Sequence, residues 1–409
     1  MSTSQLTLEL ERLAKFSDTP APSVTRVVYS PTDMQAREYF KGLCLAAGLE
    51  IREDAAGNTF ARWPGTEPDL PAVATGSHID AIPHAGAYDG TVGVFGGLEA
   101  IRLLQRQGMR CKRAIELILF TSEEPTRFGI GCLGSRLLAG VLDASAGAKL
   151  RGKDGLTLDE ARQAAGFTGT LESVRLNPGV YSAFVELHIE QGPLLEQEDL
   201  PLGVVTAIAA PASLRVQVDG EGGHAGAFLM PHRHDAFLAA AELALAVESS
   251  VKATGVIDTV GTTGVCDVFP GAVNSVPSRT RLEIDIRDID GARRDQVIEN
   301  VRAASVEIAA RRGVRFTIET VNADAPATCA PEIVEALSNA CEQAALPYRK
   351  MVSRAYHDSL FMAQLAPVAM LFIRCKGGYS HRPDEYSSPV DIAAGSKVLA
   401  ATLADLALR

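Results

Sequence analysis

Apolar runs of strand length alternate with helix-like stretches through the first half of the chain. PAVATGSHID and RAIELILFTS read as strands, and GVFGGLEAIRLLQRQG between them reads as a helix. This alternation predicts an α/β sheet with helices on its faces. From about Pro211 the pattern changes. The strand SLRVQVDG, the helix HDAFLAAAELALAVESSV, the strands IDTVGTTGVCDVF and RTRLEIDIRDI, the helix GARRDQVIENVRAASVEIAARR and the strand VRFTIETV follow in turn. Their order, βαββαβ, predicts a ferredoxin-like domain inserted into the chain. Beyond Pro331 a helix, the strand VAMLFI and a further helix resume the first pattern and complete its sheet. The expected division is therefore 1–210 and 325–409 for the main domain and 211–324 for the insertion.

A chain of 409 residues exceeds the size at which one core keeps growing, which agrees with two domains. Hydrophobic residues at 46% and charged residues at 22% supply a core and a solvated surface, so disorder is excluded. Fifty acidic against 39 basic residues leave a formal charge of -11, which argues against a nucleic-acid partner. The seven cysteines are scattered, with no Cys-x-x-Cys pair, so a reducing compartment is expected. Charges run through the N-terminal MSTSQLTLELERLAKF and no apolar run reaches membrane-spanning length, so a cytoplasmic protein with no membrane partner is expected.

The candidate chemistry gathers where strands end, the place where open α/β sheets bind ligands. Carboxylates and imidazoles converging there are the donors that two divalent cations need. His78 and Asp80 in TGSHID lie two apart on an extended stretch, so Asp80 is expected to orient the His78 ring. Asp89, at the Tyr-Asp-Gly turn, is placed for a bridging ligand. Adjacent Glu123 and Glu124 follow the strand IELILF and are expected to point to opposite sides. One can bind metal while the other takes a proton from the attacking water; we assign Glu124 to the metal and Glu123 to the proton. His188 in VELHIEQG and His381 in GGYSHRPDE complete the ligand candidates. Singly, such residues are ordinary capped turns or satisfied core groups. Five of them at strand ends of one α/β pattern are not.

The blocks GSHIDAIPHAGAYDG, FTSEEPTRFG, ELHIEQGPLLE, GEGGHAGAFLMPHRHDA and GGYSHRPDEYSSP resemble the hydantoinase/carbamoylase family of dinuclear amidohydrolases, over nearly the whole chain and in order. The resemblance implies a mixed-sheet metallohydrolase catalytic domain with a ferredoxin-like lid and dimerisation domain. It also implies one metal on His78, Asp89 and His188, a second on Asp89, Glu124 and His381, and Glu123 as base. A histidine at position 188 matches the carbamoyl-hydrolysing branch and argues against a plain exopeptidase. His224 in the Gly-Gly-His motif is implied as oxyanion donor from a partner subunit, hence a homodimer. Asn274 and Arg287 are implied as the grip on a substrate carboxylate, a role suited to a planar guanidinium, and Gln191 as another substrate contact. For Arg287 the residues alone favour a salt bridge to Asp285 or Asp288.

Where many family members carry Ser-Gly-Ala-Gly-His-Asp, this chain has Ser353-Arg354-Ala355-Tyr356-His357-Asp358. Tyr356 and His357 are expected to contact the substrate, Tyr356 shrinking the pocket and adding a hydroxyl donor. The stretches SRAYHDSLFMA, TSEEPTRFG and VVTAIAAPASL look most like ureidoglycolate amidohydrolases of purine breakdown. The implied substrate is thus a small 2-hydroxy ureido acid, with N-carbamoyl-L-amino acids, N-carbamoyl-β-alanine or allantoate as the alternative. A dimetal exopeptidase and a non-catalytic binding protein are more distant readings. Zinc, manganese, cobalt and nickel all suit the ligand set.

Overall fold

Four strands whose residues are almost all buried form the centre of the main sheet: Ala72–His78, Ile115–Phe120, Tyr181–Ile189 and Val368–Ile373. They run parallel, with His78 opposite Phe120 and His188 opposite Phe372, so their carboxyl ends lie level along one edge. Antiparallel strands flank them: Thr59–Trp63 and Glu50–Glu53 on one side, Leu202–Ile208 on the other. The sheet is therefore mixed, as the family resemblance implies. The computed structural model describes residues 3–409, with side chains from Gln5 onward; Met1 and Ser2, at the head of the segment read for a leader, lie outside it. None of the helices among the described residues is long and apolar enough to cross a membrane.

The chain divides into two compact units. One comprises 1–206, 329–353 and 357–409; the other comprises 207–328 with 354–356. In the first, the helix Thr91–Arg106 lies directly on the strands. A Cβ at Gly93 would sit 2.3 Å from the Leu187 carbonyl oxygen, so only glycine allows that approach. The cluster around Phe60, Ile118, Phe120, Leu133 and Phe184 forms a core on this sheet, each such side chain contributing roughly 1.5–3 kcal/mol by leaving water.

The second unit is a four-stranded antiparallel sheet in the order Val260–Phe269, Arg279–Asp288, Ala210–Asp219, Arg315–Ala323. With its helices Ala236–Ala253 and Gly291–Arg312 this is the expected βαββαβ order. Period two decides the packing. Leu282, Ile284 and Ile286 are buried against Leu243, Val247, Val297 and Val301, while Arg281, Glu283 and Asp285 alternate with them on the other face. Asp235 caps the first helix through the Phe237 and Leu238 N–H groups, and Asp290 caps the second through Arg293.

Candidate metal centre

The proposed ligands His78, His188, Glu124 and His381 stand at or beyond the carboxyl end of a central strand, and Asp89 follows the short strand Ala81–Ala85. His78 is the last residue of its strand, and His188 the last but one. Glu123 and Glu124 follow Phe120. Asp89 precedes the helix that starts at Thr91. His381 lies in the loop after Ile373, beyond a turn at Lys376–Gly378. The non-glycine residues Ser122, Gln191 and His381 adopt φ of 56°, 54° and 60°. Left-handed backbone at one candidate ligand and at two loop positions beside the others is the strain that accompanies a pre-formed site.

Asp89 organises the geometry. Its Oδ1 lies 3.2 Å from His188 Nε2 and 3.6 Å from His78 Nε2, and its Oδ2 lies 3.6 Å from His381 Nε2. Glu124 Oε1 is 3.2 Å from that same His381 nitrogen. One carboxylate thus presents one oxygen to two imidazoles and the other oxygen to a Glu–His pair. Two triads result, His78–Asp89–His188 and Asp89–Glu124–His381, with ligand atoms close enough to surround a cation. Both inner imidazoles turn Nδ1 to a backbone carbonyl, His78 to Asp80 O at 3.0 Å and His188 to Ile189 O at 2.9 Å. Nδ1–H donating there leaves Nε2 as the basic nitrogen facing the pocket, the arrangement of a metal-ligating histidine.

The electrostatics point the same way. Burial opposes charge on His78, yet Glu123, Asp89 and Asp80 raise its pKa well above the usual value. Burial also opposes charge on Asp89, yet His188 and His78 hold it well below the ordinary carboxylate range. Glu124 raises His381 to about 9. Borderline divalent cations suit this pocket of O and N donors, and the donor set fits two of them.

Asp80 meets the His78 ring as expected, but through its backbone. Its backbone carbonyl, not its carboxylate, takes the His78 Nδ1 hydrogen bond; Oδ1 is 3.6 Å from that nitrogen. The carboxylate instead accepts the Glu123 and Glu124 N–H groups, at 3.2 and 3.0 Å. The strand has ended at Phe120 and Ser122 is left-handed, so strand alternation does not govern the two glutamates. Asp80 holds their backbone instead. Their side chains still diverge, Glu123 Oε2 lying 3.6 Å from His78 Nε2 and Glu124 turning to His381. Burial, partly offset by His78, pushes the Glu123 carboxyl well above the ordinary range, which suits a base.

Two residues the sequence reading passed over hold Asp89. Glu385 Oε1 accepts the Tyr88 and Asp89 N–H groups, at 2.7 and 2.9 Å. Ser380 hydrogen-bonds both Asp89 Oδ2 and Glu385 Oε2. Their signal was available, since both lie in the SHRPDE block that contains His381. Gln191 Nε2 donates to Asp89 Oδ2 at 2.6 Å, while its Oε1 is buried with no hydrogen-bond partner among the described residues. His357, expected to contact substrate, is buried; its ring centroid is 4.5 Å from that of His188, and its Nε2 is 3.0 Å from Ser353 Oγ.

His224, Asn274, Arg287 and Tyr356 belong to the second unit. His224 is exposed on a two-residue ribbon with Ser275–Val276, next to Asn274, and its Nδ1 accepts the Gly226 N–H. Arg287 makes the ion pair that its neighbours alone suggested, to Asp285 through Nε at 2.7 Å and Nη2 at 3.3 Å. It also lies over the Tyr356 ring, 5.6 Å from the centroid.

The profile of peptidase family M20/M25/M40 matches residues 74–405. The chain is 56% identical over 407 residues to a protein of Arabidopsis thaliana named ureidoglycolate hydrolase, covering 98% of this chain and 86% of that one. It is 37% identical to an N-carbamoyl-L-amino acid amidohydrolase of Geobacillus stearothermophilus, with 97% of each covered. A crystal structure of AtUAH in complex with (S)-hydroxyglycine superposes with a TM-score of 0.90 at 53% identity, covering 100% of this chain and 98% of that one. With the profile spanning both ligand triads and relatives matching nearly all of this chain, the chain belongs to peptidase family M20/M25/M40, in its hydantoinase/carbamoylase group, and is a hydrolase.

Proposed function

We propose that the chain is a dinuclear metal amidohydrolase that cleaves a linear ureido acid, ureidoglycolate, releasing ammonia and CO2. The observation that carries the chemistry is the double-sided carboxylate of Asp89, one oxygen toward His78 and His188 and the other toward His381. The substrate rests on the 56% identical relative of that name and on Tyr356 where many family members have glycine. Two divalent cations on these ligands, zinc or manganese with cobalt and nickel as substitutes, would acidify water and polarise the ureido carbonyl.

Glu123 takes the proton of the attacking water and delivers it to the departing nitrogen. Its burial supports this, since a carboxylate whose pKa is raised by burial is a stronger base than an exposed one. Asp80 keeps Glu123 and Glu124 in register by holding both backbone N–H groups. Gln191 Oε1, buried and without a partner among the described residues, suits a ureido N–H. Arg287 and Asn274 hold the substrate carboxylate and Tyr356 reads the hydroxyl. His224, supplied by the partner subunit, stabilises the oxyanion.

The second unit (Ala207–Thr328 with Arg354–Tyr356) serves as lid and dimerisation domain. An exposed apolar side supports the homodimer: Leu238 and Leu245 project from the helix Ala236–Ala253, and Val260–Phe269 is a sheet edge. Seven free cysteines, six of them buried, support a cytoplasmic setting.

The test is ammonia release by chelator-stripped protein reconstituted separately with manganese and zinc and offered ureidoglycolate, allantoate, an N-carbamoyl-L-amino acid and a dipeptide. Preference for ureidoglycolate supports the proposal. Preference for the carbamoyl amino acid would keep the metal chemistry and overturn the role of Tyr356, and inertness toward all four would overturn the enzyme itself.

A further inference from the structure

Glu123 has to present one oxygen to the pocket repeatedly through turnover, yet a glutamate side chain is free about three bonds. Among the described residues, its carboxylate accepts one hydrogen bond. The Cys132 thiol donates to Oε1 at 3.4 Å, leaving Oε2 on the His78 side. Cys132 is fully buried. Its own backbone is bound to the same segment: Cys132 N–H donates to Glu123 O at 2.7 Å, Leu133 N–H to Ser122 O at 2.9 Å and Gly134 N–H to Thr121 O at 2.8 Å. This ladder sets sulfur and carboxylate face to face. It does so at a cost in backbone conformation, since Cys132 has φ 54° and Ser122 φ 56°, a region that non-glycine residues rarely adopt.

We propose that Cys132 is a positioning residue for the reaction: its thiol anchors Oε1 of Glu123 so that Oε2 stays aimed at the attacking water. A thiol is a weak donor. It fixes the rotamer while the outer oxygen keeps its capacity to take a proton, and no strong donor competes for that charge. Burial, reinforced by Glu123, holds the thiol well above its ordinary pKa, so the sulfur retains the proton it donates. The inference rests on Glu123 being the base.

The test compares Cys132→Ser, Cys132→Ala and Cys132→Val as metal-loaded enzymes with the preferred ureido or carbamoyl compound. Serine keeps a donor, alanine removes it, and valine removes it while filling the space. The alanine and valine variants should lose roughly 10-fold in kcat, at or below the low end of what a general base contributes, with KM and metal content unchanged. The serine variant should recover most of that loss. Wild-type kcat in the alanine variant, a serine variant no better than valine, or a loss confined to KM would each overturn the inference. If these variants fail to fold, the infrared S–H stretching band decides. A shift of one band between wild-type and Glu123→Gln protein supports the contact, and identical spectra overturn it. Turnover surviving in Glu123→Gln overturns the base assignment and this inference with it. A fully active Cys132→Ala beside an inert Glu123→Gln overturns this inference alone.

Discussion

Replacing Gly90 by alanine should break the metal centre without altering any ligand. Gly90 has φ 64°, so alanine there bears about 1–2 kcal/mol of left-handed strain. The larger effect is steric. A Cβ on Gly90 would lie 2.4 Å from both Cδ2 and Nε2 of His78 and 2.5 Å from its Cε1. Ordinary carbon contacts are about 3.5 Å, so the ring has to withdraw by about 1 Å. Metal–nitrogen bonds tolerate only about 0.2 Å, so a ring displaced that far no longer ligates. Misplacement of about 1 Å costs about 100-fold in rate. We therefore expect kcat to fall by about 100-fold or more, with bound metal reduced after dialysis. The assays are elemental analysis of metal per chain and ammonia release. Gly48→Ala is the control for strain alone, because Gly48 has φ 73° and nothing within 4 Å of its Cβ position. It should lower Tm and leave activity untouched. A Gly90→Ala enzyme with full metal and wild-type kcat would refute the reasoning that His78 is a ligand held against this turn.

Glu123→Gln should reduce kcat by about 10²–10⁴-fold while metal content stays normal, measured by ammonia release and elemental analysis. Tyr356→Phe should lower kcat/KM for ureidoglycolate about 10-fold and leave N-carbamoyl amino acid turnover unchanged, a comparison of two substrates on one variant. Asp358 is fully buried, and burial together with Glu186 raises its pKa from 3.8 to about 8. A raised folded-state pKa contributes stability below the unfolded value that is lost as pH rises through the folded value. In chelator-treated protein the Tm advantage of Asp358→Asn over wild type should therefore grow between about pH 4 and pH 8, and an advantage flat with pH would contradict a buried neutral Asp358. Leu245→Glu, at a position 65% exposed on the apolar helix face, should convert a dimer to a monomer in sedimentation velocity with each chain still folded.

The periodicity of apolar residues was enough to read the two patterns of the chain, because strands and helices each write their own spacing into the sequence. The parallel strands ending at His78, Phe120, Ile189 and Ile373 and the βαββαβ order of 210–323 were legible for that reason. The five candidate ligands could be proposed from the sequence because they fall together in one α/β pattern and their flanking blocks resemble one family, although singly such residues are ordinary.

What tertiary structure decided lies in contacts between positions far apart in sequence. Glu385 reaches Tyr88 across 297 residues, and Ser380 reaches Asp89 across 291. No local pattern encodes such a pairing. The expected contact of Asp80 with His78 is made by its backbone carbonyl, while the fold brings its carboxylate to two backbone N–H groups beyond the next parallel strand. Arg354–Tyr356 joins the second unit although 353 and 357 belong to the first, and Cys132 meets Glu123 across a turn that local propensity does not favour. Sequence by itself determined which donors were present and at which strand ends. Only the three-dimensional packing decided which atom of each faces the pocket and which serves as support, because hydrogen-bond direction depends on partners that the chain brings together only when folded.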